Sequence, residues 1–412
     1  MHLLKNKSIL LILVAILSSE LFYFYISMLK SSVSTLSVLM IRDYNLTAPN
    51  LSVIVSAFYI TALILKIPAG VIVDRYGPKY PLVIAIILTA IGTFLFSQSS
   101  SLLLFSLSRA IIAIGYSCSL LATVKILAKY LPARLYALLI GSTLFCGYLG
   151  ASFSGYPLAT IINIYPWSQV FVWISIIGIT LAIIIFISLD SSNDINESTD
   201  HTLLKTITQS LGLLKQPQIV ILAIFTGVIV SGAIGIADLW GRLYLYKFSD
   251  IDKDSAAFVS TTMVYLGISI GSLIWGTIQS AIQGGRKTLF LITLINALLI
   301  IAFFFFGIRS ITMLSIIGFL IGATSASKVI CYDIARSLVD YKNLAVIVGI
   351  LAMSVTGMAA VIQLIAGTVL KLSQQIFTQP ETNYTITILS LPCILILAAI
   401  LSLFIKPKID SK

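Results

Sequence analysis

Twelve stretches of mostly apolar residues follow one another along the chain, separated by short polar breaks. They run near 9–40, 49–73, 80–98, 101–128, 135–161, 167–189, 218–246, 255–281, 288–308, 311–338, 343–370 and 385–405. Each is close to or above the roughly 20 residues that a helix needs to cross a bilayer. Lipid offers no partner for a free backbone N–H or C=O, so continuous apolar runs of this length are expected to span as helices. The charge supply agrees. Only 26 basic and 15 acidic residues serve 412 positions, or 10% charged, where soluble domains carry about 25%. A soluble enzyme, a nucleic-acid binder and a disordered scaffold are thereby excluded. The first stretch begins like a signal peptide, with Lys5 and Lys7 ahead of an apolar run. No A-x-A site follows and hydrophobicity resumes beyond Glu20, so an uncleaved first span is expected.

Basic residues set the orientation. With the N-terminus in the cytoplasm, the loops on that side hold Lys5, Lys7, Arg75, Lys79, Lys129, Arg134, Lys205, Lys215, Arg286, Lys287, Lys342, Lys406, Lys408 and Lys412. The opposite side holds Arg42, Lys247, Lys253, Arg309 and Lys371. The positive-inside bias places both termini in the cytoplasm. It also accounts for much of the net charge of +11 without a nucleic-acid partner. The longest polar stretch, 190–217, falls near the midpoint. It divides the chain into six spans in 1–189 and six in 218–412, the layout of two pseudo-symmetric six-helix bundles. Within it, Leu203 to Leu214 reads as an amphipathic surface segment. The four cysteines lie in apolar runs without metal or C-x-x-C spacing and read as small core residues.

Between the second and third spans the chain reads Gly70-Val71-Ile72-Val73-Asp74-Arg75-Tyr76-Gly77-Pro78-Lys79. Gly70 would allow close helix approach, Asp74 sits at a helix end where a neighbouring dipole or arginine can hold it, and Gly77 suits a tight turn. Such a cluster can latch the cytoplasmic side and release it. The decapeptide resembles the major facilitator superfamily signature G-x-x-x-D-R-x-G-R-[KR], with Pro78 where the signature has Arg. The corresponding stretch of the second half, Gly276 to Lys287, keeps glycines and Arg286-Lys287 but replaces Asp-Arg with Ser280 and Ala281, which implies a weakened second latch. Arg109 with Gly115 resembles the fourth-span R-x-x-x-G-x-G motif. Gly141, Gly147, Ala151, Gly155 and Pro157 resemble the Gly- and Pro-rich fifth span, and Trp167 to Phe171 resembles W-R-x-V-F at the start of the sixth. Leu239 to Leu245 and Gln363 to Gly367 are similar to a bacterial subgroup related to lysosomal dipeptide transporters. The resemblance covers the whole chain. It implies twelve helices, alternating access, and a central cavity lined by the first, fourth, seventh and tenth spans.

No P-loop, G-x-S-x-G or H-E-x-x-H occurs, which argues against direct use of ATP and against lipid-phase hydrolysis. Transport driven by a gradient is the expected function, with no cofactor beyond that gradient. Charges inside spans are costly and are functional candidates by default. Seven are basic: Lys30, Lys66, Arg109, Lys125, Arg242, Lys328 and Arg336. Three are acidic: Glu20, Asp238 and Asp333. Spacing pairs Asp238 with Arg242 and Asp333 with Arg336, while Lys66 and Lys125 read as snorkelling toward the cytoplasm. Glu20, Lys30, Arg109 and Lys328 remain as cavity candidates, with Tyr23 on the face of Lys30. Both histidines, His2 and His201, lie outside the spans, so Glu20 is the expected proton carrier.

An interior with excess positive charge suits a carboxylate, and Glu20 opposite would suit an amino acid or short peptide. The leading expectation is proton-coupled transport of a small carboxylate-bearing solute, such as an amino acid, dipeptide or organic acid, by a monomer in a bacterial inner membrane. Efflux of a larger organic anion, such as a polycarboxylate siderophore or drug, is the alternative. A membrane sensor using this fold without flux is the alternative of another class.

Overall fold

The computed structural model describes residues 9–130, 136–189, 212–282, 286–339 and 344–405. Among these residues the regular structure is helical, and eleven helical segments are long and apolar enough to cross a membrane. The first four spans are single helices, Ile9–Tyr44, Ala48–Tyr76, Lys79–Ser97 and Leu102–Tyr130. The sixth is Trp167–Ser188. In the second half the ninth, eleventh and twelfth are Arg286–Phe305, Leu344–Ile376 and Pro380–Ser402. The expected amphipathic segment at Leu203 to Leu214 and most of the central loop lie outside the described residues.

The other four spans are interrupted, and the interruptions have local causes. Pro157 stands two residues after Gly155, and the fifth span divides there into Tyr136–Phe153 and Tyr156–Ile164, because proline removes a donor and clashes with the preceding turn. The carbonyl freed at Ser154 accepts a hydrogen bond from the Thr35 hydroxyl at 2.5 Å, as buried backbone at membrane depth requires. The seventh span runs Pro217–Phe248 and widens into a π turn at Ile236–Trp240. The eighth starts at Lys253 and carries a second π turn at Phe258–Thr262. The tenth breaks between Ile311–Ser325 and Lys328–Leu338. Asn296 of the ninth span binds this break, donating its amide to the Ile321 carbonyl at 2.9 Å and to the Thr324 and Ser325 hydroxyls.

Packing follows two bundles. The first span lies against the fourth, fifth and sixth, and the third joins the fourth and sixth; the eighth pairs with the tenth, the seventh with the eleventh, and the ninth with the twelfth. The halves meet where the second span packs on the eleventh and the fifth on the eighth. Small residues permit these approaches. A Cβ on Gly150 would fall on the Phe24 carbonyl oxygen, and one on Gly147 would fall on the Tyr23 ring. The broken fifth span and the eighth-span π turn are joined by hydrogen bonds. Ser152 donates to the Thr262 carbonyl at 3.0 Å, Thr262 returns a bond to the Ser152 carbonyl at 3.1 Å, and the Tyr156 N–H donates to the Thr262 hydroxyl at 2.8 Å. Nearer the surface, Lys253 and Asp254 bind the amide of Asn163.

Candidate substrate site

The π turn of the seventh span places Asp238 at the centre of the bundle, fully buried. One carboxylate oxygen accepts from the Tyr59 hydroxyl of the second span. The other accepts from the Tyr265 hydroxyl of the eighth at 2.5 Å. Tyr265 in turn accepts from the Lys30 ammonium of the first span at 3.0 Å, and that ammonium lies 4.5 Å from the centre of its ring. Lys30 and Tyr59 belong to one half, Asp238 and Tyr265 to the other. A charge pair is therefore joined across the interface through a phenol, with each charge held by hydrogen bonds of the kind that buried ions require.

Arg242, expected to pair with Asp238, does not. Its guanidinium donates to the carbonyls of Ser34 and Thr35 in the first span and of Lys253. An i,i+4 pair shares a face only on a regular α-helix. The π turn inserts extra residue per turn between these two and sends their side chains in different directions. Arg109 likewise binds backbone, donating to the carbonyls of Leu29 at 2.6 Å and Lys30 at 2.5 Å, with its guanidinium carbon 4.7 Å from the Phe58 ring centre. It holds the first span at the residue that carries the Lys30 charge.

Two further lysines face the interior. Lys66 does not snorkel to the cytoplasm. It donates to the Thr356 hydroxyl of the eleventh span at 2.8 Å and sits 5.3 Å from the centre of the Tyr116 ring. Lys328, at the start of the inner half of the tenth span, donates to the Tyr148 hydroxyl of the fifth. The Tyr148 and Tyr265 rings stack with centroids 6.3 Å apart. Lys66, Tyr116, Tyr148 and Tyr332 are half-buried. Lys125 donates to the Val73 carbonyl at 2.8 Å.

Glu20 lies on the first span beside the fifth. One of its oxygens accepts from the Thr143 hydroxyl at 2.6 Å, and the other, buried, has no hydrogen-bond partner among the described residues. Tyr23 is buried against Gly147 and does not join the hydrogen-bonded Lys30 group. The structure therefore places Lys30 and Asp238 in one hydrogen-bonded set and Arg109 directly behind it. Lys66 and Lys328 bind hydroxyls of the opposite half, at Thr356 and Tyr148, and Glu20 stands apart beside Thr143.

The family profile described as Major Facilitator Superfamily matches residues 12–331. The chain belongs to the major facilitator superfamily. Its fold is shared by a bacterial homologue of the human lysosomal transporter Spinster, solved inward-facing and unoccupied, with a TM-score of 0.77 over 97% of this chain and 96% of that one at 14% identity. The nucleoside transporter NupG superposes with a TM-score of 0.76 over 95% of this chain and 99% of its own at 15% identity. In sequence, the chain is 26% identical over 152 residues to the 4-hydroxybenzoate transporter PcaK of Pseudomonas aeruginosa, covering 37% of this chain and 34% of that protein. It is 28% identical over 144 residues to a mouse protein described as solute carrier family 2, facilitated glucose transporter member 12, covering 34% of this chain and 23% of that protein. The chain thus matches about a third or less of the length of these curated relatives.

The superfamily loop motif is present in the turn between the second and third spans. Gly77 has φ 75°, a conformation that a residue with a side chain adopts at a cost. Arg75 lies over the Tyr76 ring, and Lys79 lies 4.7 Å from the centre of the Phe186 ring. A Cβ at Gly70 would meet Leu121 at an ordinary 3.6 Å, so the close approach expected there is not needed in this conformation. The side chains of Asp74 and Arg336 lie outside the described residues, and Asp333, expected to pair with Arg336, is exposed. Nothing in the sequence marks Tyr265 or Lys66 as site residues. A hydroxyl in an apolar run gives no signal of what it binds, and Lys66 lies close enough to the cytoplasmic end of its span to look like a snorkelling residue.

Proposed function

We propose that this chain is a secondary active transporter that carries a small carboxylate-bearing solute, an amino acid, dipeptide or organic acid, with coupling to protons. The observation that carries the reading is a pair of lysines inside the bundle that form no ion pair among the described residues. Lys66 and Lys328 come from opposite halves, and each donates to a neutral hydroxyl, in an interior where ammonium groups favour an anion strongly. The 4-hydroxybenzoate of the Pseudomonas aeruginosa relative's description is itself a small carboxylate, which supports the class and not the identity. Alternating access requires contacts between the halves that can part, and the hydroxyl-mediated links at Lys30, Lys66 and Lys328 are of that kind. A multi-pass protein of the bacterial inner membrane, working as a monomer with no cofactor beyond the ion gradient, fits this reading.

Proton coupling is assigned to Glu20. Its second carboxylate oxygen, which has no hydrogen-bond partner among the described residues, gives a proton a place to bind without disturbing the Thr143 contact, and no histidine lies in the spans to serve instead. The test is uptake of labelled amino acids, dipeptides and organic acids into proteoliposomes under an imposed pH gradient, with wild type and Glu20→Gln. The expected result is accumulation by the wild type that an uncoupler abolishes, and counterflow without accumulation by Glu20→Gln. Accumulation by Glu20→Gln with normal pH dependence rules the assignment out. Absence of counterflow for every solute class would instead favour a sensor.

A further inference from the structure

Arg242 carries a buried charge that the central network does not use. The residue is 2% exposed and forms no ion pair with a carboxylate among the described residues. Its Nη1 donates to the Ser34 carbonyl at 3.1 Å and to the Thr35 carbonyl, and its Nε donates to the Lys253 carbonyl at 3.1 Å. Ser34 and Thr35 lie one turn beyond Lys30 on the first span, in the N-terminal half, whereas Arg242 and Lys253 belong to the C-terminal half. The guanidinium therefore crosses between the halves and ends on backbone, not on a counter-charge. Arg109 gives the contrast. It grips the same helix one turn away, but its partners, the Leu29 and Lys30 carbonyls, lie in its own half.

Further bonds cross from half to half beside Arg242. The Ser34 hydroxyl lies 3.0 Å from that of Thr261, which itself donates to the Ala237 carbonyl at 2.7 Å. The π turns of the seventh and eighth spans thus meet the first span at one place. The bonds of Thr262 to Ser152 and Tyr156 extend the seam to the fifth span, and those of Lys253 and Asp254 carry it on to Asn163. A Cβ on Gly155 would meet the Thr262 backbone nitrogen, and one on Gly241 would meet Ser260, so the seam is too tight there for a side chain. The spans that form it lead into the turns near 165–166 and 249–252, on the side opposite the basic loops.

A buried charge without a counter-charge is costly, and apolar packing in its place is often more stable. Its chemistry here suits a contact that must part. Carbonyls hold a guanidinium well when water is excluded, and water replaces them at small net loss once the seam opens, whereas a buried carboxylate partner would resist separation. We propose that Arg242 is the bolt of an outer gate: its hold on the Ser34 and Thr35 carbonyls keeps the halves together on the side away from the basic loops, and its release lets that side open. This rests on the transporter reading above and adds to it the contact that sets the balance between the two conformations.

The test measures distances between spin labels by double electron–electron resonance on the purified full chain in nanodiscs. The labels go on Ile164→Cys of the N-terminal half and Phe306→Cys of the C-terminal half, both exposed, with the four native cysteines replaced by alanine. The expected result is that Arg242→Gln raises the ratio of long to short distances at least about tenfold, the contribution of a hydrogen bond from a charged group. Arg242→Lys should raise it less, and Arg109→Lys, which loosens a grip on the same helix within one half, should leave it unchanged. Melting of each variant reports folding, and Arg242→Lys decides if Arg242→Gln fails to fold. An unchanged ratio in the folded Arg242 variants overturns the proposal. So does an equal rise in Arg109→Lys, because general loosening would then account for it, and so does failure of both Arg242 variants to fold, which would make the residue a structural tie. Counterflow by the wild type with no change of ratio in the Arg242 variants overturns the bolt and leaves the transporter reading standing. A raised ratio with no flux of any solute supports the bolt and overturns the transporter reading.

Discussion

Replacing Asp238 by Asn tests the central network most directly, because the change removes a charge and almost no volume. Asp238 is fully buried and accepts from two phenols, Tyr59 and Tyr265. An Asn amide can accept from one of them at its oxygen, and its NH₂ faces the other. The loss or weakening of these bonds costs about 1 kcal/mol each in a membrane interior. The larger part comes from Lys30, which loses the carboxylate it reaches through Tyr265. Breaking a buried pair by removing one partner costs about 3–5 kcal/mol, so a total destabilisation of about 3–5 kcal/mol is expected, with the hydrogen bonds included in that range. The assay is unfolding of purified protein followed by intrinsic fluorescence, for Asp238→Asn, Lys30→Met and the double variant. Removing both charges leaves no orphan, so the double variant should be more stable than the sum of the single losses predicts, by about 1–3 kcal/mol. Strict additivity, or an Asp238→Asn protein as stable as wild type, would falsify the assignment of Asp238 as the partner of Lys30.

Arg109→Lys should destabilise by about 2–3 kcal/mol, since an ammonium cannot reproduce the two-pronged grip on the Leu29 and Lys30 carbonyls; equal melting of variant and wild type would refute it. Gly150→Leu should abolish folded expression, because a side chain there meets the Phe24 backbone and the first and fifth helices cannot separate without losing their packing; size-exclusion chromatography reads the outcome. At the outer surface Asp252 caps the eighth span, accepting from the Asp254 and Ser255 N–H groups at 2.9 Å, so Asp252→Ala should cost about 1 kcal/mol. Burial pushes its carboxyl up, but the hydrogen bonds from Ser255 and Asp254 together hold it below the usual carboxylate value. The cap's contribution should therefore be complete above that usual value and fade as pH falls through the lowered one, a dependence that Asp252→Ala should lack in melting curves recorded against pH.

Hydropathy along the chain placed most spans to within about three residues, because lipid forces each crossing to satisfy its own backbone, but the eleventh helix runs on to Ile376 and the twelfth starts early, at Pro380. The loop motif at Gly70 to Lys79 was enough to point to the superfamily, and the scarcity of in-span acids already indicated a basic interior. Partnership between those charges was not legible. Asp238 and Arg242 are four apart and look paired, yet the π turn at Ile236–Trp240 separates them. Lys66 looks like a snorkelling residue, yet it turns toward Thr356 in the other half. Tyr265 looks like core, yet it stands between the two charges of the network. The physical reason is one of range. Burial in lipid is a property of one helix and is written in its own residues. Compensation of a buried charge is a property of two or three helices, and it depends on azimuth, which a π turn or a proline break resets without changing hydropathy. Packing of the two halves determined that Lys30 is joined to a carboxylate through Tyr265 while Lys66 and Lys328 bind hydroxyls.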